Sequence, residues 1–183
     1  MTRILGIPGS LRQGSFNGML LQAILQAAPA GVECEVFSLA RIPLYDGDLE
    51  QSAFPLAVQA FKEKIAAADG VVLASPEYNY SIPGVVKNAI DWASHPPADD
   101  AWKNKAVAIV GASSGRFGTV RGQQHLRLVF FSVGALVLGR PEILVGPAGS
   151  VFDSQGQLLD PRLKEQISKW WPAFLGWISK VAH

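Results

Sequence analysis

The sequence has few of the residues that build cross-linked or metal-bound sites. It contains one cysteine, Cys34, so no disulfide framework, Cys-x-x-Cys redox pair or iron–sulfur ligand set can form within one chain. Cys34 lies in the alternating run 32–37, and we interpret it as a small strand residue. The three histidines are too widely spaced to indicate a zinc site, so no metal site is predicted from His95, His125 and His183.

Charge is also sparse and nearly balanced. Charged residues make up 17% of the sequence and the formal net charge is +1, with no cluster of lysine and arginine. We therefore expect no nucleic-acid partner, because nucleic-acid binding depends on a basic surface. The same balance argues against the strongly acidic surface by which some electron carriers are steered to their partners.

Long apolar runs are missing too. No continuous apolar segment is long enough to span a membrane, and the chain enters a strand pattern directly, without the pattern of a signal peptide. We expect a cytoplasmic protein with no membrane partner. Hydrophobic residues nevertheless make up 49% of the 183 residues, which excludes disorder and predicts one domain over residues 1–183.

Short apolar runs alternate with helix-period segments, which is typical of a parallel sheet with crossover helices. We predict strands at residues 3–7, 32–38, 70–75, 106–112 and 142–146. We predict helices at about residues 17–28, 54–68, 84–94, 120–134 and 161–181. Right-handed crossovers between these elements favour an α/β, flavodoxin-like three-layer sandwich with a five-stranded parallel sheet in the order 2-1-3-4-5.

Three loops in this arrangement follow neighbouring central strands, and a ligand is expected where the carboxyl ends of those strands meet. The loops are residues 8–17, 76–84 and 112–120. The first reads Gly-Ser-Leu-Arg-Gln-Gly-Ser-Phe-Asn from Gly9 to Asn17 and leads into a helix pattern. Backbone N–H groups and the helix dipole make such a position an anion-binding site.

The first loop departs from two common nucleotide signatures. Ser15 stands where a triphosphate loop needs lysine, and the glycines do not follow the Gly-x-Gly-x-x-Gly spacing of a dinucleotide site. Two hydroxyls, one amide and one cation suit a single terminal phosphate, and they belong to Ser10, Ser15, Asn17 and Arg12. The loop therefore predicts a mononucleotide.

The second loop contains two prolines and two tyrosines. The prolines stiffen it, and Tyr78 and Tyr80 can cover a flat ligand whose edge meets backbone N–H groups, as a flavin ring requires. The alternative is a rigid strand-to-helix connection whose tyrosines cap the core. Glu77 is the only carboxylate in the three loops, and we expect it to hold the loop rather than to act as an acid.

The third loop is rich in small residues, which let the backbone approach a planar ring closely. Arg116 has two interpretations. In the first, it faces the site, where a cation favours negative charge on a flavin edge or binds the phosphate of a nicotinamide donor. In the second, it is a solvated loop residue. His125 and Arg127 are interpreted as surface or subunit-contact residues on the following helix.

Together the three loops resemble the NADPH-dependent FMN reductase family, which includes chromate and quinone reductases. The matching motifs lie at residues 9–17, at 76–85 with 87–92, and at 113–121. The resemblance implies that the first loop holds the phosphate of FMN and that the other two line its isoalloxazine ring. The candidate cofactor-binding residues are Ser10, Arg12, Ser15, Phe16, Asn17, Pro76, Glu77, Tyr78, Asn79, Ser113, Ser114, Gly115 and Arg116.

The resemblance also implies hydride transfer from NAD(P)H to bound FMN, followed by two-electron reduction of a small-molecule acceptor such as a quinone or chromate. No catalytic side chain is predicted, because the flavin carries the chemistry. The family further implies a homodimer or homotetramer. Three alternatives stay open: an FMN reductase that supplies free reduced flavin to a partner oxygenase, a one-electron flavodoxin-type carrier, and a non-enzymatic FMN-binding module.

Overall fold

A parallel β-sheet forms the centre of the protein, whose structure is a computed structural model that describes residues 1–182. His183, one of the three histidines considered above, lies outside the described residues. The strand order is β2-β1-β3-β4-β5, with β6 also paired to β4, and every pairing is parallel. The strands are β1 (Thr2–Pro8), β2 (Val32–Val36), β3 (Gly70–Ala74), β4 (Ala106–Ala112), β5 (Leu136–Val137) and β6 (Ile143–Val145).

Helices cover both faces of this sheet. They are α1 (Phe16–Gln26), α2 (Gly47–Ser52), α3 (Leu56–Ala67), α4 (Gly84–Ala93), α5 (Val120–Ser132) and α6 (Pro161–Val181). Alternate strand residues point to opposite faces: Ile4 and Val72 pack with α1 and α6, whereas Leu5 and Val71 pack with α3, α4 and α5. No helix within residues 1–182 has both the length and the apolar character needed to cross a membrane.

The predicted architecture is confirmed, including the order of the strands in the sheet and the pairing of the central strands β1, β3 and β4. The fifth sheet position differs from the prediction, because it is divided between two short strands. β6 matches the predicted strand at 142–146, while β5 was not predicted, since two residues carry too little periodicity. Pro141, which lacks an N–H, lies between the two strands. The short helix α2 was missed for the same reason of length.

The helix predicted at 54–68 begins later than expected. Pro55 occupies the capping position with extended backbone, so that Phe54 lies outside α3. The apolar stripe itself was predicted correctly, because Val58, Phe61 and Ile65 are all buried. The helix boundaries elsewhere agree with the structure within two residues.

The register of the sheet sets where a ligand can bind. Pro8 of β1 pairs with Ala74 of β3, and Ala74 pairs with Val110 of β4, so these strands end at nearly the same level. The segments that follow them begin at Gly9, Ser75 and Ser113, and they therefore meet at one edge of the sheet. The three segments overlap the loops in which the sequence places the candidate site.

Phe174 tests the packing of α6 on the sheet. The side chain is fully buried, and its ring centroid lies 5.0 Å from that of Trp170. We expect Phe174→Ala to lower the free energy of unfolding by about 3–5 kcal/mol, because it leaves a cavity in a close-packed core. Urea denaturation measures this loss. Ser179→Ala, on the exposed side of the same helix, is the control and should change stability by less than about 0.5 kcal/mol.

Candidate active site

A cavity of about 320 Å³ lies where the three loops meet. Its lining comes from the loops after β1, β3 and β4, and all of the lining residues except Ala112 are candidates predicted from the sequence. The lining consists of Ser10, Arg12, Ser15, Phe16, Asn17, Pro76, Glu77, Tyr78, Ala112, Ser113 and Ser114. Three other predicted residues lie exposed outside this lining, namely Asn79, Gly115 and Arg116.

The first loop presents the N-terminus of α1 to the cavity. Ser15 is the N-cap residue, and its Oγ accepts a hydrogen bond from the Asn17 N–H at 3.2 Å. The first turn of α1 carries no acidic residue, so the positive end of the helix is not neutralised from within. Ser10 Oγ accepts from the Arg12 N–H at 3.3 Å, and the Arg12 side chain is exposed at the same place. The arrangement suits one anion.

Asn17 connects the first loop to the third. Its buried amide donates from Nδ2 to the Ala112 carbonyl and accepts from the Ala112 N–H at Oδ1, both at 2.8 Å. The side chain therefore satisfies both main-chain groups of Ala112 at the end of β4. One Nδ2 hydrogen is left for a ligand, so that phosphate binding by Asn17 stays a prediction limited to that hydrogen.

The second loop contains a tight turn from Tyr78 to Ser81. The N–H of each of these residues donates to the carbonyl of the other, at 3.0 and 2.9 Å. The central residues are left-handed, with φ of 50° at Asn79 and 64° at Tyr80, as a type I′ turn requires. Asparagine adopts this conformation readily, but a tyrosine there is unusual.

The exposure of the tyrosines bears on whether they cap the core. Tyr78 is 49% exposed and Tyr80 is 68% exposed, so neither ring caps the core. Tyr78 lines the cavity, and its hydroxyl lies 3.4 Å from Ser10 Oγ, which belongs to the predicted anion site. The expectation that this tyrosine would cap the core is therefore wrong, and its contact with a flat ligand stays a prediction.

Glu77 lines the cavity, and its carboxylate is bound to α5. Oε2 accepts from the N–H groups of Arg121 and Gly122, each at 2.9 Å, and Oε1 lies 3.4 Å from Arg121 Nη1. The expectation that this residue holds the loop is confirmed. Sequence reasoning did not find its partners, since Arg121 is 44 residues away and no local pattern links the two.

The third loop is held by hydrogen bonds of its main chain and of the Ser113 side chain. The Ser113 N–H donates to the Val145 carbonyl at 2.9 Å, and the Ser113 carbonyl accepts from the Ala148 N–H at 2.8 Å. Ser113 Oγ accepts from the Gly115 N–H at 3.1 Å. Arg116 is exposed, with its guanidinium 6.0 Å from the Phe117 ring, which agrees with the interpretation of a solvated loop residue.

Comparison with known proteins identifies the family of this chain. The sequence model of the NADPH-dependent FMN reductase family matches residues 2–149. The chain is 45% identical to an NAD(P)H-dependent FMN reductase of Pseudomonas aeruginosa over 179 residues, 98% of this chain and 96% of that protein. It is 41% identical to a quinone reductase of Escherichia coli over 182 residues, again 98% and 96% of the two chains.

A solved structure is similar over the same extent. FerB, a flavoenzyme NAD(P)H:(acceptor) oxidoreductase of Paracoccus denitrificans, superposes with a TM-score of 0.90 and 31% sequence identity, and the match covers 98% of each chain. The likeness therefore includes the strands and loops that form the cavity.

The Asn17–Ala112 interaction can be tested without any ligand. We expect Asn17→Ala to lower the free energy of unfolding by about 1–3 kcal/mol for each main-chain group left without its partner. Urea denaturation of the FMN-free protein measures the loss. Gln22→Ala, on the exposed face of α1, is the matched control. Equal stabilities of the two variants would contradict a structural role for the Asn17 amide.

Proposed function

The chain belongs to the NADPH-dependent FMN reductase family, and from that premise we propose that FMN binds in the cavity between the three loops and passes electrons from NAD(P)H to a quinone. Bound FMN supplies the hydride and electron chemistry. The protein therefore needs to bind and orient the FMN and to shield it from water, and none of its side chains needs to react. The observation that carries the proposal is that the N-terminus of α1, which has no acidic residue in its first turn, lies at a cavity lined by the aromatic residues Phe16 and Tyr78.

The anion site fits the phosphate of FMN. A phosphate group accepts hydrogen bonds and carries negative charge, and the start of α1 offers N–H groups with the positive end of the helix dipole. Arg12 adds one cation, and Ser10 and Ser15 add hydroxyl groups. One cation and one helix terminus match one phosphate better than a pyrophosphate.

The remaining walls of the cavity fit a flat ring. Tyr78 and Pro76 supply apolar surface on one side, and Ser113 and Ser114 are small enough to leave the backbone close to the ligand. Tyr78, which lines the cavity, is also exposed, so we propose that NAD(P)H and the acceptor approach the ring from the solvent on that side. A bound ring would be held by contacts that require no catalytic acid or base from the protein.

A quinone is the proposed acceptor because the Escherichia coli relative is a quinone reductase and matches almost the entire chain. Chromate reduction is a second proposed activity, because the family that the three loops resemble includes chromate reductases. A cytoplasmic location is part of the same proposal and rests on the sequence alone.

The visible absorption spectrum of the purified, desalted protein is the decisive experiment. We expect a flavin spectrum that anaerobic NADPH bleaches and that 1,4-benzoquinone restores, with one hydroquinone formed per NADPH consumed. Flavin lost on desalting, together with turnover only in the presence of added FMN, would favour a reductase that supplies free reduced flavin. A colourless protein that took up no added FMN would contradict the proposal.

Arg12 tests the phosphate assignment. We expect Arg12→Ala to weaken FMN binding by about 10- to 100-fold, because it removes a charge-assisted contact. Quenching of FMN fluorescence on titration with FMN-free protein measures the dissociation constant. Arg41→Ala removes an equally exposed cation away from the cavity and should leave the constant unchanged. If both variants bind FMN like the wild type, Arg12 is not a phosphate ligand.

We also propose a homodimer or homotetramer. Helix α5 carries exposed apolar side chains at Leu128 and Phe131, one turn apart on its outer face. An exposed apolar stripe on a helix is typical of a contact with another protein surface. His125 is exposed on the same helix, in agreement with its interpretation as a surface or subunit-contact residue.

The outer face of α5 can be tested by sedimentation velocity. We expect Leu128→Ser combined with Phe131→Ser to lower the sedimentation coefficient to that of a smaller species, since a subunit contact would lose its apolar centre. Leu56→Ser, an exposed leucine on α3, is the control and should sediment like the wild type. An unchanged coefficient in the double variant would exclude this face as the subunit contact.

A further inference from the structure

The N-terminus of α5 is capped from outside the helix. Its own N-cap residue, Thr119, forms no capping hydrogen bond with its side chain, and the first turn contains no acidic residue. Thr119 Oγ1 instead accepts from Gln123 Nε2 at 3.1 Å. The two N–H groups at the second and third helical positions donate to Glu77 Oε2. Glu77 therefore satisfies these N–H groups and places a negative charge at the positive end of α5.

The carboxylate of Glu77 is well shielded from water. Its side chain is 9% exposed, compared with 43% for Arg121, the cation that approaches it. A charge in such a position acts over a longer range than an exposed one, because less solvent screens it. Glu77 also lines the cavity, so its charge lies beside the proposed flavin site.

Further contacts fasten the Tyr78–Ser81 turn to the same helix end. The Arg121 guanidinium lies 4.2 Å from the centroid of the Tyr80 ring, a stacking contact between cation and aromatic face. Ser81 Oγ and His125 Nδ1 share a hydrogen bond at 2.9 Å. A Cβ atom at Gly122 would lie 3.1 Å from the Ser81 carbonyl oxygen, so the turn and the helix are in close contact.

From these contacts we infer that Glu77 is a positioning residue that both holds the flavin-facing turn and sets the reduction potential of the site. The inference rests on the proposed function, since it requires FMN in the cavity. The carboxylate keeps the turn against α5, and its charge opposes the gain of negative charge by a bound flavin. Removing the charge while keeping the shape must therefore make the flavin easier to reduce.

Two substitutions separate the effect of the charge of Glu77 from the effect of its side-chain length. Glu77→Gln keeps the length and one acceptor oxygen for the two N–H groups but removes the charge. Glu77→Asp keeps the charge but is one methylene shorter, so it weakens the cap. Glu165→Gln, an exposed carboxylate on α6, is the control for loss of one charge far from the cavity.

The readouts are the dissociation constant of FMN and the midpoint potential of the bound flavin at saturating FMN. We expect Glu77→Gln to shift the potential to a more positive value. We expect Glu77→Asp to weaken FMN binding by roughly tenfold, with a potential close to that of the wild type. Glu165→Gln should match the wild type in both measurements. A purely structural role would leave the potential of Glu77→Gln unchanged, and this result would overturn the inference.

The same measurements distinguish failure of this inference from failure of the proposed function. Wild-type protein that binds no FMN would refute the proposed function and with it the inference. Wild-type protein that binds FMN, with a Glu77→Gln potential equal to its own, would leave the proposed function standing and refute the role of Glu77. Unfolding of the FMN-free variants in urea confirms that each one is folded before its potential is compared.

Discussion

Main-chain polar groups at the ends of strands and helices need hydrogen-bond partners, and around the cavity these partners come from neighbouring loops. The Asn17 amide, from the first loop, binds both main-chain groups of Ala112 at the end of β4. The Glu77 carboxylate, from the second loop, binds two N–H groups at the start of α5. The three loops are thereby joined into one unit, and the cavity between them depends on that union.

The two helix termini at the site differ in charge, and the difference has a chemical meaning. The start of α1 carries no acidic residue and is flanked by Arg12, so it is open to an anion. The start of α5 is already occupied by the carboxylate of Glu77. The site therefore offers one place for a phosphate and not two, in agreement with a mononucleotide cofactor and with the missing dinucleotide signature of the first loop.

Much of this arrangement could be predicted from the sequence. Alternation within strands and the right-handed crossover rule predict the sheet order, and that order brings the three loops together. Side-chain direction within the loops was not predictable, because it depends on contacts between distant residues. Asn17 and Ala112 are 95 residues apart, and Glu77 and Arg121 are 44 apart. Residue type predicts ligands at Asn17 and Arg116, but it could not show that the Asn17 amide also binds Ala112 or that the Arg116 side chain is exposed.

The residues at and around the site fall into a hydrogen-bonded group and an exposed group, and the difference bears on how such proteins diverge. Changes at Asn17 or Glu77 disturb hydrogen bonds that the fold itself uses, so they lower stability whatever the ligand. Changes at Gly115 or Arg116 fall on exposed positions outside the cavity lining and cost the fold little, whereas Asn79, also exposed, holds a left-handed conformation that most residues adopt less readily. Related chains can therefore differ at such exposed positions while the hydrogen bonds that join the three loops are kept.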